Sequence, residues 1–368
     1  LYNGTGDLAK AVIKTPVFND HGTQRLFDGE KRVIMRIFLM ICILLVLGTI
    51  PAAAQELIQV KPLYTTNMSP VIQVYGLPAA EAGDLTAAGE VSLRVVAEVA
   101  SHYTKEDKGA ESVLLDGETS RAVVSIRYGL SDRWEVGVDV PMISHDGGML
   151  DSFIEGWHDF FGLPQGGRDK ARRDQLQYYY QRNGSDVLDY SGSKGGFGDL
   201  SLFASYQLLA AEPAARRSLA LRGGIKLPTG NSSRLRSSGA TDAHLRLTAS
   251  DAETLREWNT TLFASAGVLW LGQGDILEDQ QRRWVGFGSI GMVWMPLSWI
   301  DFKLQLDGHS SFYDNSNLTQ ISSSSLQLGI GGSLHFSERV SLDLAVIEDV
   351  IVDSASDVVF HSALNWRF

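Results

Sequence analysis

The sequence predicts an all-β protein: an antiparallel transmembrane β-barrel of about 12 strands, with an N-terminal plug-like segment and one long external loop containing a short helix. Three observations carry that prediction. Period-two alternation recurs from residue 89 to the C-terminus, and its apolar face holds no charge. The connections alternate between short and long. Aromatic residues gather toward both ends of the alternating segments. Composition agrees, since 37 Gly and 10 Pro in 368 residues suit a large strand protein with tight turns. A net charge of −11 argues against nucleic acid as a partner. The lone cysteine, Cys42, rules out an internal disulfide.

The first long apolar run, Ile37 to Ile50, follows Lys31, Arg32 and Arg36 and precedes Ala52-Ala53-Ala54. Basic, apolar and small residues in that order read as a cleaved signal peptide over 35–54, too short to span a bilayer as a helix. Residues 1–34 lie upstream of Met35 and are expected to be a start site called too early. The segment 55–88 is too irregular for a membrane strand and is read as a plug or a periplasmic segment. The barrel is expected over 89–368.

Twelve segments then alternate. The first three are 89–103 (Val91, Leu93, Val95), 118–130 (Ala122, Val124, Ile126) and 133–141 (Trp134, Val136, Val138). After a long insertion come 198–209 (Leu200, Leu202, Ala204), 217–228 (Leu219, Leu221, Ile225) and 241–250 (Ala243, Leu245, Leu247). The next three are 257–271 (Trp258, Leu262, Val268), 283–295 (Trp284, Ile290, Met292) and 299–309 (Ile300, Phe302, Leu304). The last are 324–337 (Leu326, Leu328, Ile330), 340–348 (Leu342, Leu344, Val346) and 357–368 (Val358, Phe360, Leu364). Such lengths suit tilted membrane strands better than a soluble sandwich. Links after the even-numbered segments are short. Those after the odd-numbered ones, 104–117, 142–197, 229–240, 272–282, 310–323 and 349–356, are mostly longer, as external loops are.

The alternate face carries Arg94, Glu98, Arg121, Arg127, Glu135, Asp139, Arg222, Lys226, Arg246, Asp301 and Lys303. In a soluble sandwich these would face water; in a membrane barrel they line the lumen while the apolar face meets lipid. The aromatic girdle is read as Tyr128, Trp134, Tyr206, Trp258, Trp294 and Trp366 toward the short turns, with Trp270 and Trp284 toward the long loops. Aromatic rings favour the headgroup level, where an apolar body and a polar edge are both satisfied. The chain ends Leu364-Asn-Trp366-Arg-Phe368. This resembles the terminal signature read by the bacterial barrel assembly machinery, with Trp366 and Phe368 as its key residues.

Several segments resemble an uncharacterised family of outer-membrane barrels, domain-of-unknown-function family 3187. They are Pro62-Leu-Tyr-Thr-Thr-Asn-Met-Ser-Pro70, Val74-Tyr-Gly-Leu-Pro78, Asp151-Ser-Phe-Ile-Glu-Gly-Trp-His-Asp159 and Phe161-Gly-Leu-Pro164. Gly196-Phe-Gly-Asp199 and Lys226-Leu-Pro-Thr-Gly230 occur in many barrels and are less specific. The resemblance covers the mature chain and implies a barrel but no activity. Asn67-x-x-Pro70 and Gly76-Leu-Pro-Ala-Ala80 also resemble the N-terminal hatch of long-chain fatty-acid and aromatic-hydrocarbon channels.

The function expected is a passive channel or binding barrel for a small solute, hydrophobic ones included, in the bacterial outer membrane and with lipid around it. One rival is a lipid-modifying or proteolytic outer-membrane enzyme. His158, Asp159 and His145, in or beside the longest loop, are its candidate acid–base groups. The other rival is a structural or surface-interaction barrel. Phe153, Ile154, Trp157, Phe160 and Phe161 have helical spacing and predict a short external helix. No cofactor is expected. A metal site from His145, Asp151 and His158 has no support beyond the residue types.

Overall fold

The computed structural model describes residues 61–148, 156, 174–210, 216–350 and 355–368. The signal peptide, residues 1–34 and 55–60, and all of the predicted loop helix but Gly156 fall outside the described residues. The strands are β1 (Val91–Lys108), β2 (Glu111–Ser131), β3 (Trp134–Asp146), β4 (Gln177–Arg182), β5 (Ser185–Tyr190), β6 (Gly196–Phe197), β7 (Leu200–Leu209) and β8 (Arg217–Leu227). They continue with β9 (Asp242–Leu255), β10 (Thr260–Leu271), β11 (Trp284–Leu297), β12 (Ile300–His309), β13 (Ser325–His335), β14 (Val340–Asp349) and β15 (Val358–Arg367). Twelve of them make an antiparallel wall in chain order, and it closes where β15 pairs with β1 through Leu93↔Trp366 and Val99↔Phe360. Closure lets the wall N–H and C=O groups pair within the sheet and leaves the wall no open edge, which lipid requires.

Burial is inverted relative to a soluble protein. Ile290 is 61% exposed, while Glu98 on the opposite face of the wall is 2% exposed. Val95 and Val124 are paired on the outer surface, with Leu245, Leu304, Leu344 and Leu364 elsewhere around it. A surface of this kind is stable only against hydrocarbon. Trp134 and Tyr206 are cross-strand neighbours near the short turns, with ring centroids 4.9 Å apart. Trp270 and Trp284 are cross-strand neighbours near the long loops.

Several boundaries differ from the sequence reading. The link 104–117 is not a loop: β1 and β2 run on until Lys108 pairs with Glu111, and the chain reverses through Gly109, whose φ is +65°. Beyond the lipid the outward face no longer has to be apolar, so the alternation fades while the strands persist. The insertion 142–197 contributes the hairpin β4–β5, which adds to the upper part of β2. Its turn, Asn183-Gly184, has φ of 51° and 78°, the positive pair of a two-residue hairpin turn. Trp258 sits in a 3₁₀ turn, Arg256–Trp258, rather than in a strand, because β9 extends to Leu255.

The main buried apolar cluster lies at the long-loop end. It joins Val71, Ile72 and Tyr75 to Tyr178, Tyr180, Leu235, Leu271, Phe312, Tyr313 and Ile321. Two smaller clusters lie between the wall and the segment before β1.

Candidate functional site

The lumen is occupied by residues 61–88, which run up one side of it and down the other. At the short-turn end the Lys61 ammonium donates to Ser92 Oγ at 2.9 Å. Higher up, Leu63 N–H donates to Gln305 Oε1 at 2.9 Å, and Gln305 Nε2 returns a bond to Leu63 O at 3.1 Å. One wall amide thus satisfies a backbone that has no strand partner. Arg121 donates to Thr66 Oγ1 at 2.6 Å, and Asn67 Nδ2 donates to His309 Nε2 at 2.9 Å.

The chain reverses at the long-loop end. Ile72 and Gln73 N–H both donate to Ser69 O at 2.9 Å, making a single helical turn after Pro70. The turn is seated in the loop cluster, where Tyr313 OH donates to Val71 O at 2.6 Å. On the way down, Lys226 Nζ donates to Val74 O at 3.0 Å and Gly76 N–H to Asp242 Oδ2 at 2.9 Å. Lower still, Gly83 N–H donates to Ser250 Oγ at 2.9 Å and Thr86 N–H to Glu135 Oε2 at 2.8 Å. Gly83 is needed for close approach, since a Cβ there would lie 2.6 Å from Ser218 O. Both ends of this lumen hairpin therefore lie at the short-turn mouth.

All eleven predicted lumen residues have side chains inside the wall, and the structure supplies their partners. Lys226 bridges Asp199 at 2.7 Å and Asp242 at 3.0 Å. Glu98 accepts from Arg121 Nε at 2.8 Å and contacts His361 Nδ1 at 2.9 Å. Lys303 pairs with Asp343 at 3.2 Å, and Asp301 contacts His335 at 2.7 Å. Arg94 donates to Asn365 at 2.7 Å and lies 4.2 Å from the Tyr64 ring centroid.

The remaining arginines converge on one carboxylate of the hairpin, Glu81. Arg127 Nη2 reaches Glu81 Oε1 at 3.1 Å; Arg222 Nη1 and Arg246 Nη2 reach Oε2 at 3.0 and 3.2 Å. Arg127 also pairs with Asp139 at 2.8 Å, and Arg222 with Glu135 at 2.7 Å. Tyr64 hydrogen-bonds both Asp139 and Arg127. The same guanidiniums hold the hairpin backbone, Arg246 through Ala79 O and Arg222 through Ala82 O and Asp84 O. Burial alone raises the Glu81 pKa, but Arg222, Arg127, Arg246 and Arg94 outweigh it and hold the carboxyl well below its usual range. A cavity of ≈ 240 Å³ opens beside Glu81 toward the short-turn mouth, with Lys61, Arg94, Arg127, Arg222 and Arg367 in its lining together with Asp84, Glu90 and Glu135.

Glu81 was not among the residues singled out from sequence. The available signal is a lone acid flanked by small residues, Ala79-Ala80-Glu81-Ala82-Gly83, which lets the wall arginines reach the main chain. His145 is fully buried rather than at an open rim. Its Nε2–H donates to Leu235 O at 3.2 Å, which leaves Nδ1 to accept from Thr119 at 2.9 Å, and Tyr178 and Tyr190 pack edge-on against the ring. His158, Asp159 and Asp151 lie outside the described residues. Among the described residues no cluster of three His, Cys, Asp or Glu could hold a metal ion.

The sequence matches the family described as "Protein of unknown function (DUF3187)" over residues 34–368, and the chain belongs to that family. No curated protein matches in sequence. Among solved structures, the COG4313 outer membrane channel from Pseudomonas putida F1 is similar with a TM-score of 0.52 and 12% identity, over 77% of this chain and 97% of that one. The NanC porin gives a TM-score of 0.41 at 9% identity, over 75% and 98% of the two chains. The KdgM porin gives 0.37 at 8% identity, over 75% and 99%. The likeness to the first establishes a shared barrel fold.

Proposed function

We propose that this DUF3187 member is a passive channel for small polar solutes in the bacterial outer membrane, closed by its own lumen hairpin. The observation that carries the reading is the path of residues 61–88. The hairpin enters and leaves by the mouth that holds the short turns, the periplasmic side in this reading. It can withdraw as a unit, with no chain end to thread through the barrel. Charged and amide side chains line the wall it would vacate, which favours polar solutes over the hydrophobic ones that the hatch-like motifs suggest. The family membership and the fold shared with an outer membrane channel are consistent with this reading.

A reversible lock tests it. A Cβ built at Gly76 lies 3.2 Å from Asp242 Cβ, slightly inside the roughly 3.5–4.5 Å of a disulfide, so a small outward shift of the hairpin brings the pair into range. Gly76→Cys with Asp242→Cys should give protein that is silent in planar bilayers when oxidised. Dithiothreitol should then restore gated conductance in the same preparation. Equal conductance before and after reduction would show that the hairpin does not gate. Silence of both the wild type and the reduced variant would leave a sealed structural barrel.

A further inference from the structure

We infer that Glu81 occupies, within the chain, the place of a solute carboxylate, and that Arg127, Arg222 and Arg246 form a binding site for small carboxylate-bearing anions once the hairpin withdraws. This deepens the channel reading above and rests on it.

The first observation is an arrangement the wall alone does not explain. Arg222 on β8 and Arg246 on β9 are directly opposite in the strand register. Like charges in that position repel, and here both side chains are buried. The ion that joins them is Glu81, whose Oε2 meets both. Arg246 forms its ion pair with Glu81, and its other bond is to Ala79 O, also in the hairpin. The wall therefore keeps this guanidinium for a partner that comes from elsewhere.

The second observation is the charge count. Around Glu81 the wall sets Arg127, Arg222 and Arg246 against Glu135 and Asp139. Withdrawal of Glu81 leaves one positive charge without a counter-charge, in a site shaped to meet both oxygens of one carboxylate. An incoming carboxylate restores the balance with the same charge-assisted bonds. The third is space: the ≈ 240 Å³ cavity beside Glu81 is where such a group would arrive from the short-turn mouth, past Lys61 and Arg367.

The exchange involves no covalent step. One carboxylate leaves with the hairpin, another binds, and the anion is released when the hairpin returns. Glu81 thereby keeps the arginines paired while the channel is closed and competes with solute for them.

Single-channel recording on the full-length protein tests this, with glutarate as probe. The Glu81→Gln variant should open more often than wild type. Its reversal potential in a KCl gradient should show anion preference. Glutarate should interrupt its chloride current in a concentration-dependent way, and Arg246→Gln in the same background should weaken that block by about tenfold or more, the loss expected for one bond to a charged group. Cation preference, or equal block with and without Arg246, would overturn the assignment while leaving the channel reading intact. If no variant conducts, the channel reading fails by itself. The site is then decided by calorimetric titration of glutarate into detergent-solubilised Glu81→Gln protein: binding that Arg246→Gln abolishes supports it, and absence of binding overturns it.

Discussion

Leu63→Ala should separate docking of the hairpin from folding of the barrel. Leu63 is fully buried against Met68 of the hairpin and against Ala100, Ala345, Ile347 and Val359 of the wall. Its main-chain bonds to Gln305 survive the substitution, so the change removes side-chain packing alone. A Leu→Ala change at a site of this kind costs about 2–5 kcal/mol. Most of the lost contact is between hairpin and wall, so the cost falls on docking. Taking about 3 kcal/mol, the ratio of undocked to docked hairpin rises by about two orders of magnitude. Ser69→Cys, at the buried tip, provides the readout. When opening is fast relative to labelling, the rate of thiol labelling follows the undocked population. Labelling should quicken by about 100-fold on adding Leu63→Ala, while the temperature at which the barrel loses its compact mobility on SDS gels stays put. Unchanged labelling with a lowered barrel melting temperature would refute the reasoning, because the hairpin would then be an integral part of the folded wall.

Two further outcomes follow from the same geometry. Glu81 has a folded-state pKa well below its reference value of 4.5, so its contribution to docking is complete above that value and fades as pH falls below it. The part of the open probability that Glu81 controls should therefore rise only below about pH 4. Glu81→Gln should flatten that rise, and an equal acid response in the variant would assign it to other carboxylates. At the C-terminus, Phe368 exchanges backbone bonds with Val91 at 2.8 and 3.0 Å, and its ring packs 5.7 Å from that of Trp366. Replacing both aromatics with Ala should cut the yield of folded barrel in membranes several-fold, whereas Trp299→Ala, exposed at a turn, should not.

The wall was legible because lipid tolerates so little. Positions facing hydrocarbon are apolar or satisfy their polar group on the wall, which writes a period of two into strands such as β12; in β15 the one polar outward residue, Ser362, returns its hydroxyl to Ala97 O. Where lipid stops, so does the constraint. Lys105, Asp107 and Lys108 end the pattern although β1 continues through them. The hairpin β4–β5 was missed despite Asn183-Gly184, because the flanking strands face a local protein surface rather than lipid. Inside the lumen, alternation identified which charges point inward but not what they meet. Arg222 pairs with Glu135, two strands away across β7, and with Glu81. Neither is its cross-strand neighbour, so register alone would have placed it against Arg246. The hairpin itself has no period at all, since each of its residues answers to a different wall side chain.

That lack of period bears on what the hairpin is for. A barrel of this size has an interior to fill, and permanent filling is served best by apolar packing, because a buried ion pair gains little over a well-packed hydrophobic replacement. The two legs of this hairpin are instead held at mid-lumen chiefly by guanidiniums, amides and hydroxyls, with Leu63, Tyr64, Met68 and Ala79 packed in two small apolar clusters against the wall. The main apolar cluster lies at the tip, around Tyr313 and Phe312. Such a lumen suits water as readily as it suits the hairpin, whereas an apolar one would be stable only when filled. The polar wall is therefore better matched to an interior that is vacated than to one that is always closed, and the Leu63→Ala labelling experiment measures how often that happens.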